Sequence, residues 1–300
     1  MQCKAAKGSL FAAFFIISDV KTFVAYILLF LSFVLLSSCA TFNGVKPRGV
    51  ARIKHYDFYS PDLPKSFDGL EVAFISDLHY KSRFGDRRLR KLVSTLDRIE
   101  ADVLLMGGDY KEGCGDTVRV LFSALGKVGT TYGKYAVLGN NDYESCCDEV
   151  RQAMARNGIT LLEHRLDSLS AEDGGMIYIC GIGNPFDMRG YGTPPLGGLG
   201  KDDFVIMLVH TPDYVQDIGC DIVDIAFAGH THGGQVTLFG LYAPVIPSKY
   251  GQRFRRGLKY TDSGVPVYVS NGIGTSGPKV RMFAPSEIMV VTLHCGNGRP

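Results

Sequence analysis

Five apolar runs, each ending in a polar tip, constrain this chain of 300 residues more than anything else in it. Leu70 to Ser76 delivers Asp77-Leu78-His79, Asp102 to Met106 delivers Gly107-Gly108-Asp109, and Tyr135 to Leu138 delivers Gly139-Asn140-Asn141-Asp142. Phe204 to Val209 delivers His210, and Ile222 to Ala228 delivers Gly229-His230-Thr231-His232-Gly233-Gly234-Gln235. The β-branched and aromatic content of these runs marks buried strands. In α/β sheets, ligand sites lie outside the carboxyl ends of the strands, so the tips converge on one site. At Gly229 to Gln235 the glycines free the backbone, and both histidines can turn into one cleft.

Helical segments alternate with the strands. From about Asp86 to Glu100, Leu89, Leu92, Val93, Leu96 and Ile99 fall on one stripe at helical spacing, which predicts core packing. Further helices are expected near Thr117 to Lys127 and over 148 to 157, where Gly158 suits a left-handed cap. Thr211-Pro212 places a cap residue before a proline, with Gly219 as the stop. Met176 to Cys180 reads as a strand, and the loop Gly181 to Gly200 is long enough to be functional. Strands near Arg255 to Tyr260, Val265 to Val269 and Glu287 to His294 look antiparallel by their spacing and turns.

The N-terminus stands apart. Residues 23 to 36 form an uncharged apolar run preceded by Lys4, Lys7 and Lys21, short for a spanning helix and suited to a signal-peptide core. The run ends in Leu36-Ser37-Ser38-Cys39-Ala40, which resembles a bacterial lipoprotein box with a lipid-accepting cysteine. An uncleaved transmembrane anchor is the alternative. Either tether predicts a protein associated with the membrane of a bacterial cell envelope, on the extracytoplasmic side. The expected organisation is therefore a signal or anchor over 1 to 39, a linker and edge strand over 40 to 66, and one catalytic domain over 67 to 296. The edge strand is expected at Arg52 to Tyr59.

A net charge of +2 argues against a dedicated nucleic-acid partner. The eight cysteines show no spacing of a zinc knuckle or a disulfide framework, so most read as small buried hydrophobes or free thiols, Cys146-Cys147 included. His55, His164 and His294 lie outside the polar tips and read as surface or satisfied core residues. Between Val245 and Ser286, Lys249, Arg253, Arg255, Arg256, Lys259, Lys279 and Arg281 face one acid, Asp262. Such a stretch is either a solvated face or an attraction for anionic lipid, worth about 1 kcal/mol per residue near a membrane.

Asp77, His79, Asp109, Asn140, His210, His230 and His232 offer more oxygen and imidazole donors than one metal needs, and suit two metals sharing a carboxylate. In order, Asp77-Leu78-His79, Gly108-Asp109, Gly139-Asn140-Asn141-Asp142, His210 and Gly229-His230-Thr231-His232 resemble the motifs of the calcineurin-like metallophosphoesterase superfamily. The resemblance covers about residues 67 to 294. Gly229 to Gln235, with Tyr250-Gly251 and Val269 to Ser276, is similar to a bacterial, membrane-anchored or exported branch that includes phosphodiesterases and pyrophosphatases acting on UDP-diacylglucosamine.

The resemblance implies an α/β fold, an αββα sandwich of two mixed β-sheets flanked by helices. It implies that Asp77, His79, Asp109 and His232 hold one divalent metal and that Asp109, Asn140, His210 and His230 hold the other, with Asp109 bridging. Manganese, iron or zinc would suit a donor set without thiolate. It further implies that hydroxide attacks phosphorus in line, and that Asn141 and Asp142 belong to the catalytic motif. Asn141 stands where the family usually has histidine, so the protonation of the leaving group is in question. The expected activity is metal-dependent hydrolysis of a phosphodiester or pyrophosphate, on a nucleotide- or lipid-linked substrate. The alternative is a catalytically weak binding or scaffold protein on the same fold.

Overall fold

The computed structural model describes residues 22, 24–26, 28, 29, 32, 50–183, 193–277 and 279–298. Two compact units divide the chain at Arg48 and Gly49. In the first, the described residues are helical, and among the described residues no helix is long and apolar enough to cross a membrane. Most of the expected signal or anchor, including Cys39, and the centre of the Gly181 to Gly200 loop lie outside the described residues.

The second unit begins with β1 (Arg52–Ser60), β2 (Glu71–Ile75), α1 (Asp86–Ile99), β3 (Val103–Met106), α2 (Asp116–Leu125) and β4 (Gly133–Ala136). A short α3 (Asn140–Glu144) and α4 (Cys147–Arg156) lead to β5 (Thr160–Leu161), β6 (Arg165–Ser170) and β7 (Met176–Gly181). Then come β8 (Phe204–Val209), α5 (Pro212–Ile218), β9 (Ile225–Ala228), β10 (Gly257–Tyr260), β11 (Pro266–Val269) and β12 (Glu287–Cys295). They form two six-stranded sheets, ordered β1-β12-β2-β3-β4-β5 and β10-β11-β9-β8-β7-β6.

Strand periodicity builds the layers. On β2, Val72 and Phe74 face the second sheet and meet Ile206, Leu208 and Phe227, while Ala73 and Ile75 face helices through Leu92, Leu96 and Leu121. On β8, Val205, Met207 and Val209 turn outward to Tyr214 and Val215 of α5. A strand buried on both faces must be apolar throughout, which is why these runs are continuous rather than alternating. The result is the four-layer αββα arrangement of two mixed sheets flanked by helices.

Local signals bound α5. Thr211 caps α5 through its side chain, Pro212 follows, and Gly219 closes it in a left-handed conformation. Gly158, at φ +64°, follows the end of α4.

Two expectations require correction. β10 pairs antiparallel with β11 and β12 with β2, but β11 lies parallel to β9 and β12 parallel to β1. Spacing and turn residues report sequence neighbours, and these pairings are made between strands far apart in the chain. The cysteines are not all free: Cys114 and Cys146 form a disulfide across 32 residues, with Cα atoms 5.7 Å apart, while Cys147 stays unpaired. It joins the segment after Asp109 to the segment after Asn140. Removing it with Cys114→Ser is expected to cost about 3 to 4 kcal/mol of stability on the loop-closure estimate. Denaturant unfolding of the oxidised protein measures this, and an unchanged midpoint would show that the bridge carries no such load.

The basic stretch is largely engaged within the fold. Lys249 pairs with Asp217 at 2.5 Å and Arg253 with Asp262 at 2.7 Å. Arg255 and Arg256 both donate to the Gly240 carbonyl. Arg281 donates to the carbonyls of Asn271, Gly274, His232 and Ala284.

Candidate metal centre

All the polar tips meet at the carboxyl ends of β2, β3 and β4 in one sheet and β8 and β9 in the other. The backbone turns sharply there: Asp77, His79, Asp109, His230 and His232 all have positive φ, between 42° and 67°. Non-glycine residues adopt that conformation at an energetic cost, and such strain concentrates at functional sites. Two glycines admit the close approach. A Cβ on Gly139 would overlap Asp109 Oδ1, and one on Gly229 would overlap Asp77 Oδ2.

Two clusters result. Asp77, His79 and His232 have potential ligand atoms within 4.8 Å of one another, and so do Asp109, His210 and His230. His79 Nε2 lies 3.2 Å from His232 Nε2, and His232 Nε2 lies 3.5 Å from Asp77 Oδ1. In the second cluster His230 Nδ1 lies 3.2 Å from His210 Nε2. Asp109 Oδ2 sits between the clusters, 3.6 Å from both His79 Nε2 and His210 Nε2. Ligands about 2.0 to 2.2 Å from one cation lie about 3 to 3.5 Å apart, so these spacings suit a divalent ion in each cluster. Asn140 adds a further donor, because its Oδ1 is buried without a hydrogen-bond partner. A third cluster of possible ligands, Cys114, Cys146 and Glu149, is taken up by the disulfide.

Outer partners fix which ring nitrogen is offered. His210 Nδ1 donates to the Gly107 carbonyl at 2.6 Å, and His79 Nδ1 donates to Glu112 at 2.8 Å, leaving Nε2 of each for the site. Burial and the neighbouring His210 push His230 down to about 3, and burial with His79 and Arg281 pushes His232 well below the usual histidine range. Both are neutral imidazoles, the form that binds metal. Burial opposes the charge on His210, but Asp109 and Asp77 outweigh it and raise His210 to about 9. Asp109 is held below the carboxylate range against burial, by His210, His79 and the Asn141 N–H. Metal and proton therefore compete for His210.

Asp142 is held among backbone donors. It is fully buried, and its carboxylate accepts hydrogen bonds from the N–H groups of Asp109 at 2.8 Å, Gly139 at 3.0 Å and Tyr110 at 3.1 Å. A carboxylate saturated by backbone donors braces the two ligand-bearing turns. Burial and Asp109 raise its pKa to about 6. Asn141 is half-buried; its amide lies 3.2 Å from His79 Nδ1 and accepts from Asn140 Nδ2 at 2.8 Å.

The sequence does not mark Glu112 or Lys111, and it marks Arg281 only as part of the basic stretch, because no motif spacing points to a place at the site. Lys111 is buried and donates to the Asn141 and Ser145 carbonyls. Arg281 ties His232 to the Asn271 segment through the His232 and Asn271 carbonyls. Glu112→Ala is expected to lower metal affinity about 10- to 100-fold by freeing the His79 ring. Titration of the metal-free protein with manganese or zinc measures this, and wild-type affinity would remove Glu112 from the centre.

The clusters open into a cavity of 540 Å³, lined by Asp109, Asn140, His230 and His232 on one side and by Val236, Pro244, Val245 and Pro247 on another.

The calcineurin-like phosphoesterase family model matches residues 70–234. The chain is similar to a metallophosphoesterase of Bacillus subtilis, 31% identical over 244 residues, covering 78% of this chain and 82% of that one. A metallophosphoesterase of Campylobacter jejuni is 29% identical over 248 residues, covering 80% of this chain and 63% of that one. One of Aquifex aeolicus is 27% identical over 248 residues, covering 81% of this chain and 91% of that one. The motifs that bring two ligand clusters together thus lie within the matched region, and the chain belongs to the calcineurin-like phosphoesterase family, as a metal-dependent phosphoesterase.

Proposed function

We propose that the protein is a dinuclear metal-dependent hydrolase of phosphodiester or pyrophosphate bonds. The observation that carries this is Asp109 Oδ2, placed 3.6 Å from a histidine of each cluster, where one carboxylate can serve two cations. Asp77, His79, Asp109 and His232 would hold one divalent ion, and Asp109, Asn140, His210 and His230 the other. Manganese, iron or zinc ions bound there would supply an activated water and charge stabilisation for the phosphoryl oxygens.

The chain's own residues do the rest. Asp142 and Lys111 hold the turns that carry Asp109 and Asn140, while Gly107 and Glu112 orient His210 and His79. Asn141 can donate or accept one hydrogen bond at the site but cannot release a proton at neutral pH. The apolar wall of the cavity favours a substrate with a hydrophobic part, such as a lipid-linked or nucleotide-linked phosphate.

We further propose attachment to the membrane of a bacterial cell envelope, through lipid on Cys39 or an uncleaved N-terminal helix, with the catalytic unit on the extracytoplasmic side. The Cys114–Cys146 bridge supports that side, since disulfides persist in oxidising compartments. The mass of the mature N-terminus tests the anchor. Metal analysis alongside assays on phosphodiesters and pyrophosphates tests the activity. Two bound metals without turnover on any such substrate would favour a binding or scaffold protein, the reading that Asn141 keeps open.

A further inference from the structure

We propose that the turn from Leu238 to Val245, together with Phe283, is a docking surface for an anionic lipid bilayer. Leu238, Phe239, Leu241, Tyr242, Val245 and Phe283 are all exposed, Leu241 at 81% and Val245 at 77%. Contiguous large apolar side chains held out in water mark an interaction surface, whereas scattered ones need no explanation.

The turn is built to present them. Leu238 pairs with Tyr242 in an antiparallel bridge, and Val236 pairs with Met282 at the foot. Arg255 and Arg256 clamp the Gly240 carbonyl at 2.8 and 3.0 Å. The Phe239 and Phe283 rings meet at 5.6 Å, joining the two parts of the patch. An apolar tip on a braced turn loses little entropy on insertion.

Charge selects the occupant. From Gly229 to Ser286 the one acid is Asp262, and Arg253 neutralises it at 2.7 Å. Arg256 reaches the Gly240 carbonyl within the patch, and Lys259 and Lys279 belong to the same basic sequence. Two copies meeting through this face would bring like charges together, while anionic headgroups complement it and acyl chains receive the apolar tip. Val245 also lines the cavity into which the ligand clusters open, so docking sets the cavity mouth beside the lipid surface. The inference does not depend on hydrolysis, because Leu241 and Tyr242 line no part of that cavity.

The chain contains no tryptophan, so Leu241→Trp supplies a sole fluorescent reporter in the full-length protein, and Tyr242→Trp a second. Val120→Trp, at an exposed position on α2, is the control. With phosphatidylglycerol-containing liposomes, both tip reporters are expected to shift to the blue. Bromines on the upper acyl chain, about 5 to 10 Å below the surface, should quench roughly half of their emission and leave the control unchanged. The effect should shrink on phosphatidylcholine alone and as salt rises. Tip and control reporters that behave alike, or a blue shift that needs protein concentration and no lipid, would overturn the proposal, the latter in favour of a second copy. Hydrolysis of a water-soluble aryl phosphodiester by Leu241→Trp reports separately on the metal site.

Discussion

Asp109→Ala is expected to abolish metal binding and phosphoester hydrolysis together. Asp109 Oδ2 lies 3.6 Å from a histidine of each cluster, and without its charge two cations held there would lose a shared counter-charge. The loss in metal affinity should far exceed the roughly 10- to 100-fold cost of removing an outer partner. The fold should survive, since Asp109 raises the pKa of buried Asp77 and Asp142 and its removal relieves that repulsion. Asp109→Asn keeps the volume and the acceptor for the Asn141 N–H, now 2.9 Å from Oδ1, and separates charge from shape. Metal content by mass spectrometry, with circular dichroism as the folding control, gives the answer. Two metals retained by Asp109→Ala would refute the bridging assignment.

The second large effect is expected at Asn141. Expelling an alkoxide from an alkyl phosphodiester benefits from a proton donor, whereas a pyrophosphate expels a phosphate whose charge is already spread over several oxygens. The Asn141 amide sits at the edge of the centre, 3.2 Å from the His79 ring, and has no proton to give. Rates should therefore fall steeply as leaving-group pKa rises, and anhydrides or activated aryl esters should be the better substrates. A positioned general acid contributes about 10² to 10⁴ in rate, so Asn141→His should gain up to that factor on poor leaving groups and little on good ones. Equal wild-type rates across the series, with no gain in the variant, would show that another group supplies the proton or that chemistry is not limiting.

The run of strand ends was legible because burial on both faces forces continuous apolar sequence, and each run stops where the chain needs polar atoms. Asp77, Asp109 and His210 announce themselves in this way. Glu112 does not, because a half-exposed glutamate beside a glycine turn looks like any surface acid until the fold sets it 2.8 Å from His79. Asp142 is plain from its place in the motif, but only the structure shows its carboxylate turned onto three backbone N–H groups. The basic stretch suggested a charged face, and packing engages most of it with carbonyls and acids.

What the sequence determined by itself is local and periodic: the strands, the helix that Thr211 and Gly219 bound, and the donor types at each strand end. These follow from side-chain period and backbone preference, which act within a few residues. The tertiary structure alone decided how closely the donors of each cluster approach, that Cys114 meets Cys146, that β11 lies parallel to β9, and that Leu238 to Val245 is left facing outward. Each of these joins residues distant in sequence, or depends on what fails to cover them, and the order in which sheets pack is a property of the whole core rather than of any segment.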